Sequence, residues 1–540
     1  MRVQNDTNEV KDRILFYNII KIILAVGVVV SFWIFSRLTI DDAFITWRYG
    51  KNLVFHGIWN YNPSSYDMTQ AYTNPIYAYL SIIPAYFRID TVLFFKLVSL
   101  LIIFIFVIYY SRKVKQATII LLATFLLPQT MIHIFSGMET FLFIILSTIL
   151  IISIQEDSLL MTMIASAFLL YTRPESWPLL VIIPLVYCNW QSIDYMDIFK
   201  IKNYRFRIMS KFTRNFITII SLKMFFVLSL LLLPNLIISY FNFNNILPNT
   251  FFVKNTSVFS FNQLKIFGLT LLPLILAYKY VRPGKMVPIL LFFLFIIIQY
   301  SKTSLFMDYN LRFLYHIYFP IVLFVFYLME KDNKNRLIII RLIISFDDIT
   351  RRSLSFKYKN MQKIVILVIL GFFLSRDTIS DLALMANYYY RCISSAADAG
   401  KIINDVKGKY NINSISCGDA GMLAFNADID SLDLYRLGSA IFTHSGIDTA
   451  YSLYKPEVLF LHGSEENVRS GYFESVRDIS KYENIGKITW SRTYYYWVYS
   501  KNNIPELRDV FENSYSTNYK GNKELLLKHI FLPPWSQWHE

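Results

Sequence analysis

Two adjacent carboxylates, Asp41 and Asp42, stand just past the first long apolar run, in the string RLTIDDAFITWRYG (37–50). A carboxylate at the edge of an apolar slab, beside a like charge, holds its proton to higher pH, which suits a general base working near neutrality. A plainer account is a helix start, because Asp caps well and complements the first turn. One Asp suffices for that. With 41–55 helical, Asp41, Ile45 and Arg48 share a face, while Phe44, Trp47 and Leu53 can rest on the apolar slab. Four later segments carry further groups of the same kinds: Glu139 in SGMET (136–140), Arg173 and Glu175 in TRPES (172–176), Asn249 and Lys254 in NILPNTFFVK (245–254), and Asp308 and Arg312 in DYNLRF (308–313). Arg173, Lys254 and Arg312 are cations suited to a phosphate, with Arg48 and His56 behind them. Taken singly, each is ordinarily a snorkelling anchor or half of an ion pair. Their convergence on one face is what points to a site.

What positions them is read from composition and patterning. The 540 residues are 55% hydrophobic and 17% charged, with mean hydropathy +0.40, which describes a polytopic helical membrane protein rather than several soluble domains. The 17% aromatic content with only 17 Gly and 17 Pro excludes disorder and collagen-like repeats. Three cysteines (Cys188, Cys392, Cys417) without a CxxC pair exclude a disulfide scaffold or zinc module. The net charge of +15 is assigned to loops beside anionic lipid, not to nucleic acid.

Apolar runs at 14–36, 91–110, 117–135, 139–154, 158–171, 177–190, 217–240, 264–280, 286–304, 311–329 and 361–375 give about eleven spans. The first has no small-residue cleavage site after it and reads as an uncleaved anchor. The stretch 75–87 carries Pro75 and Pro84, is too short to cross, and is assigned to the interface. With that choice, the basic loops around Arg112–Lys115, Lys200–Arg214, Arg282–Lys285 and Lys331–Lys359 all fall on one side, the cytoplasmic side by the positive-inside rule. The N-terminus is then inside, and residues 376–540 are outside. That tail has no further spanning run and reads as a small soluble α/β domain, with a helix over 379–408, strands at 413–417 and 457–462, and a β-rich 485–500. The expected division is a membrane module at 1–375, including an outer loop at 37–90, and a soluble domain at 376–540.

The ordered motifs DDAFITWRYGKNL, YNP, YTNP, SGMET, TRPE, LPNTFFVK and DYNLRF, followed by CGDAGMLAFNADIDSLDLYRLG and YKPEVLFLHG, make the chain resemble bacterial polytopic glycosyltransferases of the GT-C architecture. The likeness is greatest to the terminal arabinofuranosyltransferase branch of mycobacterial cell-wall synthesis, and it covers residues 41 to about 463. Two positions depart from the family pattern: Gln70-Ala71 stands where an acidic residue and Gly usually precede Tyr-Thr-Asn, and Ser176 replaces the Gly that usually follows Arg-Pro-Glu. The resemblance implies transfer of a sugar from a polyprenyl-phosphate donor to a glycan or glycolipid acceptor at the outer face of the bacterial cytoplasmic membrane. It implies Asp41 as base with Asp42 beside it, Arg173, Lys254, Arg312, Arg48 and His56 as candidates for the donor phosphate, and Glu139, Glu175, Asn249, Asp308, Tyr72 and Asn74 as candidates for other substrate contacts. No cofactor is called for, although the Asp41–Asp42 pair could hold a divalent ion.

A lipid or polysaccharide transporter is the alternative from a different class. It predicts ionisable residues near mid-membrane and internally repeated broken helices, whereas the strong charges here fall at the ends of apolar runs. A noncatalytic envelope scaffold predicts that Asp41 is dispensable. The topology itself is checked by cysteine labelling: single cysteines at Ser470 and Lys359 should react from outside and inside respectively, and the reverse pattern would overturn the placement of every motif above.

Overall fold

The computed structural model describes residues 19, 22–32, 39–114, 117–187, 219–255, 259–282, 284–304, 311–331, 394–463, 479–491 and 494–508. Among these, three helices are long and apolar enough to cross a membrane: Thr91–Lys113, Lys223–Phe243 and Arg312–Lys331. At about 1.5 Å per residue, each covers a hydrocarbon core of about 30 Å. Other expected spans are present as shorter apolar helices, including Ile22–Phe32, Thr140–Gln155, Leu159–Thr172 and Met286–Tyr300. The runs at 117–135 and 264–280 are interrupted. Ala117–Phe125 gives way to Pro128–Phe135, and Phe261–Leu269 is followed by Leu272–Leu276 and Tyr278–Tyr280. Pro128 and Pro273 sit in the first turn of the new piece, where the missing N–H costs nothing but the preceding helix must end. The architecture is thus that of a helical membrane-type protein, and the described residues do not by themselves make up eleven full spans. The run at 361–375 lies outside them. The 75–87 stretch forms two six-residue helices, Pro75–Leu80 and Ile82–Phe87.

The Thr91–Lys113 helix has one stripe (Phe95, Ser99, Ile103, Phe106, Tyr110) buried in the protein, while Leu93, Leu97, Leu101, Phe104 and Ile108 on the opposite stripe are exposed. A helix that is apolar on both stripes but packed on only one has a nonaqueous medium as its other neighbour. Arg312–Lys331, by contrast, is buried along its whole length, packed between Thr140–Gln155 and its neighbours. The two ends of this bundle differ chemically. At one end Glu156 pairs with Lys113 and Lys331, and Asp157 pairs with Arg282 and Lys285. Basic residues from three separate chain segments therefore meet one acidic turn. At the other end of the same Thr140–Gln155 and Leu159–Thr172 helices lie Glu139 and Arg173.

Residues 394–508 form a five-stranded sheet with covering helices. Its strands are β1 (Ser414–Cys417), β2 (Asp430–Asp433), β3 (Val458–Gly463), β4 (Glu483–Ser491) and β5 (Tyr494–Ser500), in the order β2-β1-β3-β5-β4. β2, β1 and β3 are parallel, with Ser416 opposite both Leu432 and Leu459, and β4 and β5 add an antiparallel hairpin to β3. The expected strands at 413–417 and 457–462 are β1 and β3, and the β-rich 485–500 resolves into the hairpin. The expected helix at 379–408 is described only as Ser394–Tyr410; residues 379–393 lie outside the described set. β2, Asp-Ser-Leu-Asp, has neither the length nor the β-branched content that marks a strand by alternation alone.

This unit docks on the Asp41–His56 helix and the 58–70 loop through a polar seam. Asp67 is the densest joint: buried, it accepts from Ser439 Oγ (2.6 Å), Tyr454 Oη (2.7 Å), the Ile441 N–H (3.2 Å) and Thr69 Oγ1 (3.0 Å). Asn62 exchanges bonds with both the N–H and the carbonyl of Ser431 on β2. Gly438 is required at its place, since a Cβ there would come within 2.4 Å of the Tyr61 ring. Asp67→Ala strands several buried donors at about 1–3 kcal/mol each. Thermal unfolding of the detergent-solubilised full chain should show a lower midpoint, with amide exchange rising first across 430–454; an unchanged midpoint would mean that the seam is held elsewhere.

Candidate active site

The Asp41–His56 helix begins at the junction of the bundle and the sheet unit. Its start is tied to the SGMET segment by the Ile40 N–H bond to the Ser136 carbonyl (2.9 Å). Gly137 has φ +81°, and a Cβ on it would meet Trp47 at 2.8 Å, so only glycine lets this turn lie against the helix. Trp47 in turn stacks on Phe95 of the Thr91–Lys113 helix, ring centroids 4.7 Å apart. Asp41 is 4% exposed. Both of its oxygens are engaged from the sheet unit, Oδ2 by the Gly421 N–H (2.8 Å) and Oδ1 by the Met422 N–H (2.7 Å). Burial pushes its carboxyl up to about 7; the Met422 and Gly421 hydrogen bonds oppose the rise, and the Asp42 charge adds to it. A second buried carboxyl, Asp433 at the end of β2, is likewise pushed up to about 7 by burial, against bonds from the Gly438 and Tyr435 N–H groups. Asp42 is half-buried and acts on Lys254 as its leading opposite charge.

Beside this pair is a compact ionic group. Arg173 bridges Glu139 (Nη1–Oε1, 2.6 Å) and Glu175 (Nη2–Oε1, 2.9 Å; Nε–Oε2, 3.1 Å). Burial disfavours charge on Arg173, but Glu175 and Glu139 outweigh it and hold the guanidinium proton firmly; burial raises Glu175, and Arg173 outweighs that, keeping the carboxyl below its usual range. Arg312 and Arg173 flank one ring, that of Phe313, with guanidinium carbons 4.7 and 5.6 Å from its centroid. Lys254 completes the group. Its ammonium is pushed below the ordinary lysine range by burial, with Asp42 opposing this and Arg312 and Arg173 adding to it. Among the described residues it makes no ion pair within 4 Å, unlike Arg173. The Lys254 carbonyl accepts the Ser304 N–H, which fixes its segment to the end of Met286–Tyr300.

Glu139, Glu175 and Asp42 are thus brought together with Arg173, Lys254 and Arg312 from five separate chain segments. Charge balances within this set, and among the described residues Lys254 is bridged to no carboxylate, so an arriving phosphodiester would meet it without first breaking an ion pair such as that of Arg173. The other candidates are placed differently. Arg48 donates to the Ile429 carbonyl and covers the Tyr61 ring, and His56 is 3.2 Å from Asp428, so both belong to the seam with the sheet unit. Asn249 is a docking residue too, its Nδ2 donating to the carbonyls of Arg436 (2.6 Å) and Leu437 (3.1 Å). Asn74 caps Pro75–Leu80, and buried Tyr72 accepts from Trp59 Nε1 at 3.2 Å. Asp308 lies outside the described residues.

Among the described residues no cluster of three or more His, Cys, Asp or Glu side chains gathers around the Asp41–Asp42 pair, and two backbone N–H groups already take one acceptor position on each Asp41 oxygen. Sequence reasoning did not find Asp67 or Asp433, nor the Tyr300 hydroxyl bonded to His316 Nδ1 (2.6 Å) beside Arg173. Each depends on contacts between distant segments and has no local signature.

No protein-family model, curated protein sequence or solved structure matches the chain.

Arg173→Gln leaves Glu139 and Glu175 without their shared cation and should destabilise by about 3–5 kcal/mol. Adding Glu139→Gln should recover part of that loss. Additive losses in a double-mutant cycle would show that the bridge contributes no coupling.

Proposed function

We propose that this protein is an inverting membrane glycosyltransferase of the GT-C type, similar to the arabinofuranosyltransferase branch, which moves a sugar from a polyprenyl-phosphate donor to a glycan or glycolipid acceptor. In this reading the remaining apolar runs complete about eleven spans in a bacterial cytoplasmic membrane, with the N-terminus inside and the sheet unit on the outer, periplasmic face. The observation that carries it is the grouping of Lys254, Arg173 and Arg312 beside the Asp41–Asp42 pair. The chemistry follows from those parts. Asp41 takes the proton of the acceptor hydroxyl as its oxygen bonds to the anomeric carbon. The bond from that carbon to the phosphate oxygen breaks on the opposite side, its electron pair leaving with the lipid phosphate, and the anomeric configuration inverts. Phosphate is a good leaving group, so the demand on the protein is to balance its charge, which Lys254 and Arg312 supply. A carboxylate has about four acceptor positions; Gly421 and Met422 use two, and the rest are available to a hydroxyl.

Asp41→Asn is close to isosteric and should lower transfer by about 10²- to 10⁴-fold, measured as polyprenyl phosphate released from a panel of polyprenyl-phosphoryl pentoses and hexoses. Full activity would remove Asp41 as the base, and a larger loss in Asp42→Asn would move the role to its more open neighbour. Lys254→Gln should weaken binding of bare polyprenyl phosphate by roughly one to two decades, the worth of a charge-assisted contact. Because burial depresses the Lys254 ammonium and an anion restores its proton, binding should tighten as pH falls through a range below that of an ordinary lysine. A pH-independent affinity, or one unchanged by the substitution, would place the phosphate elsewhere.

A further inference from the structure

Gly421 lies on the loop after β1, 380 residues along the chain from Asp41, yet a Cβ built on it would fall 2.0 Å from the Asp41 carbonyl oxygen and 2.5 Å from Asp41 Oδ2. The backbone of the sheet unit therefore touches the carboxylate with no side chain between. One N–H is directed at each carboxylate oxygen, which fixes both the position and the rotation of the group. The same segment is held from behind, since the Tyr61 hydroxyl donates to the Ala420 carbonyl at 2.5 Å and Phe425 packs edge-on against Phe44 of the Asp41–His56 helix.

We propose that the Gly421–Met422 turn is a positioning element for the Asp41 carboxylate, so that the reactive geometry at the membrane-proximal helix is completed only when the C-terminal unit is docked. The turn acts through Asp41, not on substrate, and its relevance to transfer rests on the reading of Asp41 as the base. The titratable groups facing Asp41 are Asp42 on its own helix and Cys417 and Asp433 on the sheet, with Arg48 bearing on Cys417. The two N–H bonds favour the ionised carboxylate against burial and against Asp42, so their loss raises the pH at which Asp41 gives up its proton.

The test is an infrared titration of the full chain in detergent, with the Asp41 carboxyl band assigned as the one absent from Asp41→Asn. Gly421→Ala should raise its midpoint by at least half a pH unit. His56→Ala loosens the same seam at Asp428, at the far end of the Asp41–His56 helix, and should leave the midpoint in place. Where Gly421→Ala does not fold, Met422→Pro removes one donor at the first position of Met422–Ala427, where proline is tolerated, with Met422→Ala as the control for lost packing. Proline should raise the midpoint relative to alanine. A midpoint unmoved in Gly421→Ala and in Met422→Pro, or moved equally by His56→Ala, overturns the inference and leaves Asp41 as base untouched. Retained transfer in Asp41→Asn removes the base instead, and with it the functional meaning of a positioned carboxylate that the infrared result would still show.

Discussion

The arrangement hangs on the burial of one charged helix on two sides. Asp41–His56 carries Asp41, Asp42, Arg48 and Lys51 in its first three turns, yet its apolar residues Phe44 and Trp47 are locked into the bundle and its opposite side is covered by the sheet unit. Each charge then needs a partner from whichever body covers it. Backbone supplies most of them: Gly421 and Met422 N–H groups for Asp41, the Ile429 carbonyl for Arg48, and the Phe425 carbonyl together with Asp428 for Lys51. Backbone partners are fixed in place by the sheet and the short helices of the C-terminal unit. Placement of the helix and placement of that unit are one problem with one solution.

That dependence explains what could and could not be read beforehand. The apolar run that becomes Thr91–Lys113, the proline-bearing 75–87 stretch too short to span, and the strands β1 and β3 were legible because apolar run length and turn residues act locally. The grouping of Glu139, Arg173, Glu175, Lys254 and Arg312 was foreseeable from a topology rule that puts all five at the same ends of apolar runs. Arg48, His56 and Asn249 were assigned to substrate by their chemistry, and the structure places them in the seam with the sheet unit. Nothing local distinguishes an arginine that meets phosphate from one that meets a carbonyl 381 residues away. Proline punctuation inside 117–135 and 264–280 was visible in the sequence, but a hydropathy window averages over it.

Within the ionic group, the difference between Arg173 and Lys254 matters more than their shared sign. Arg173 is committed bidentately to Glu175 and again to Glu139, a geometry that a planar guanidinium fits and an ammonium does not. Its removal would therefore report on architecture before it reported on any ligand. Lys254 ends a six-residue helix, is half-buried and sits in a field made positive by both arginines. The site separates a cation that organises carboxylates from one that, among the described residues, is bridged to none, and the second is the better placed to respond to an added anion.

Folding stability depends on pH through two buried carboxyls, Asp41 and Asp433. Both carboxyls are held near 7 in the folded chain against an ordinary value of 3.8. Between those limits the unfolded chain has released its proton while the folded one retains it, so folding stability falls as pH rises through the window, and the loss is complete above about 7. A purely structural carboxylate is usually arranged the other way, with its ionised form favoured by folding. At Asp433 the strain is confined within the sheet unit, where the Gly438 and Tyr435 N–H groups relieve part of it. At Asp41 the relief comes across the seam from Gly421 and Met422. Withdrawing the C-terminal unit would remove those hydrogen bonds and the burial together, and the carboxyl would lose both its fixed orientation and its reason to hold a proton near neutrality. The raised affinity of Asp41 for its proton is therefore a property of the docked assembly, not of the Asp41–His56 helix alone, and it is this property that the proposed role as base draws on.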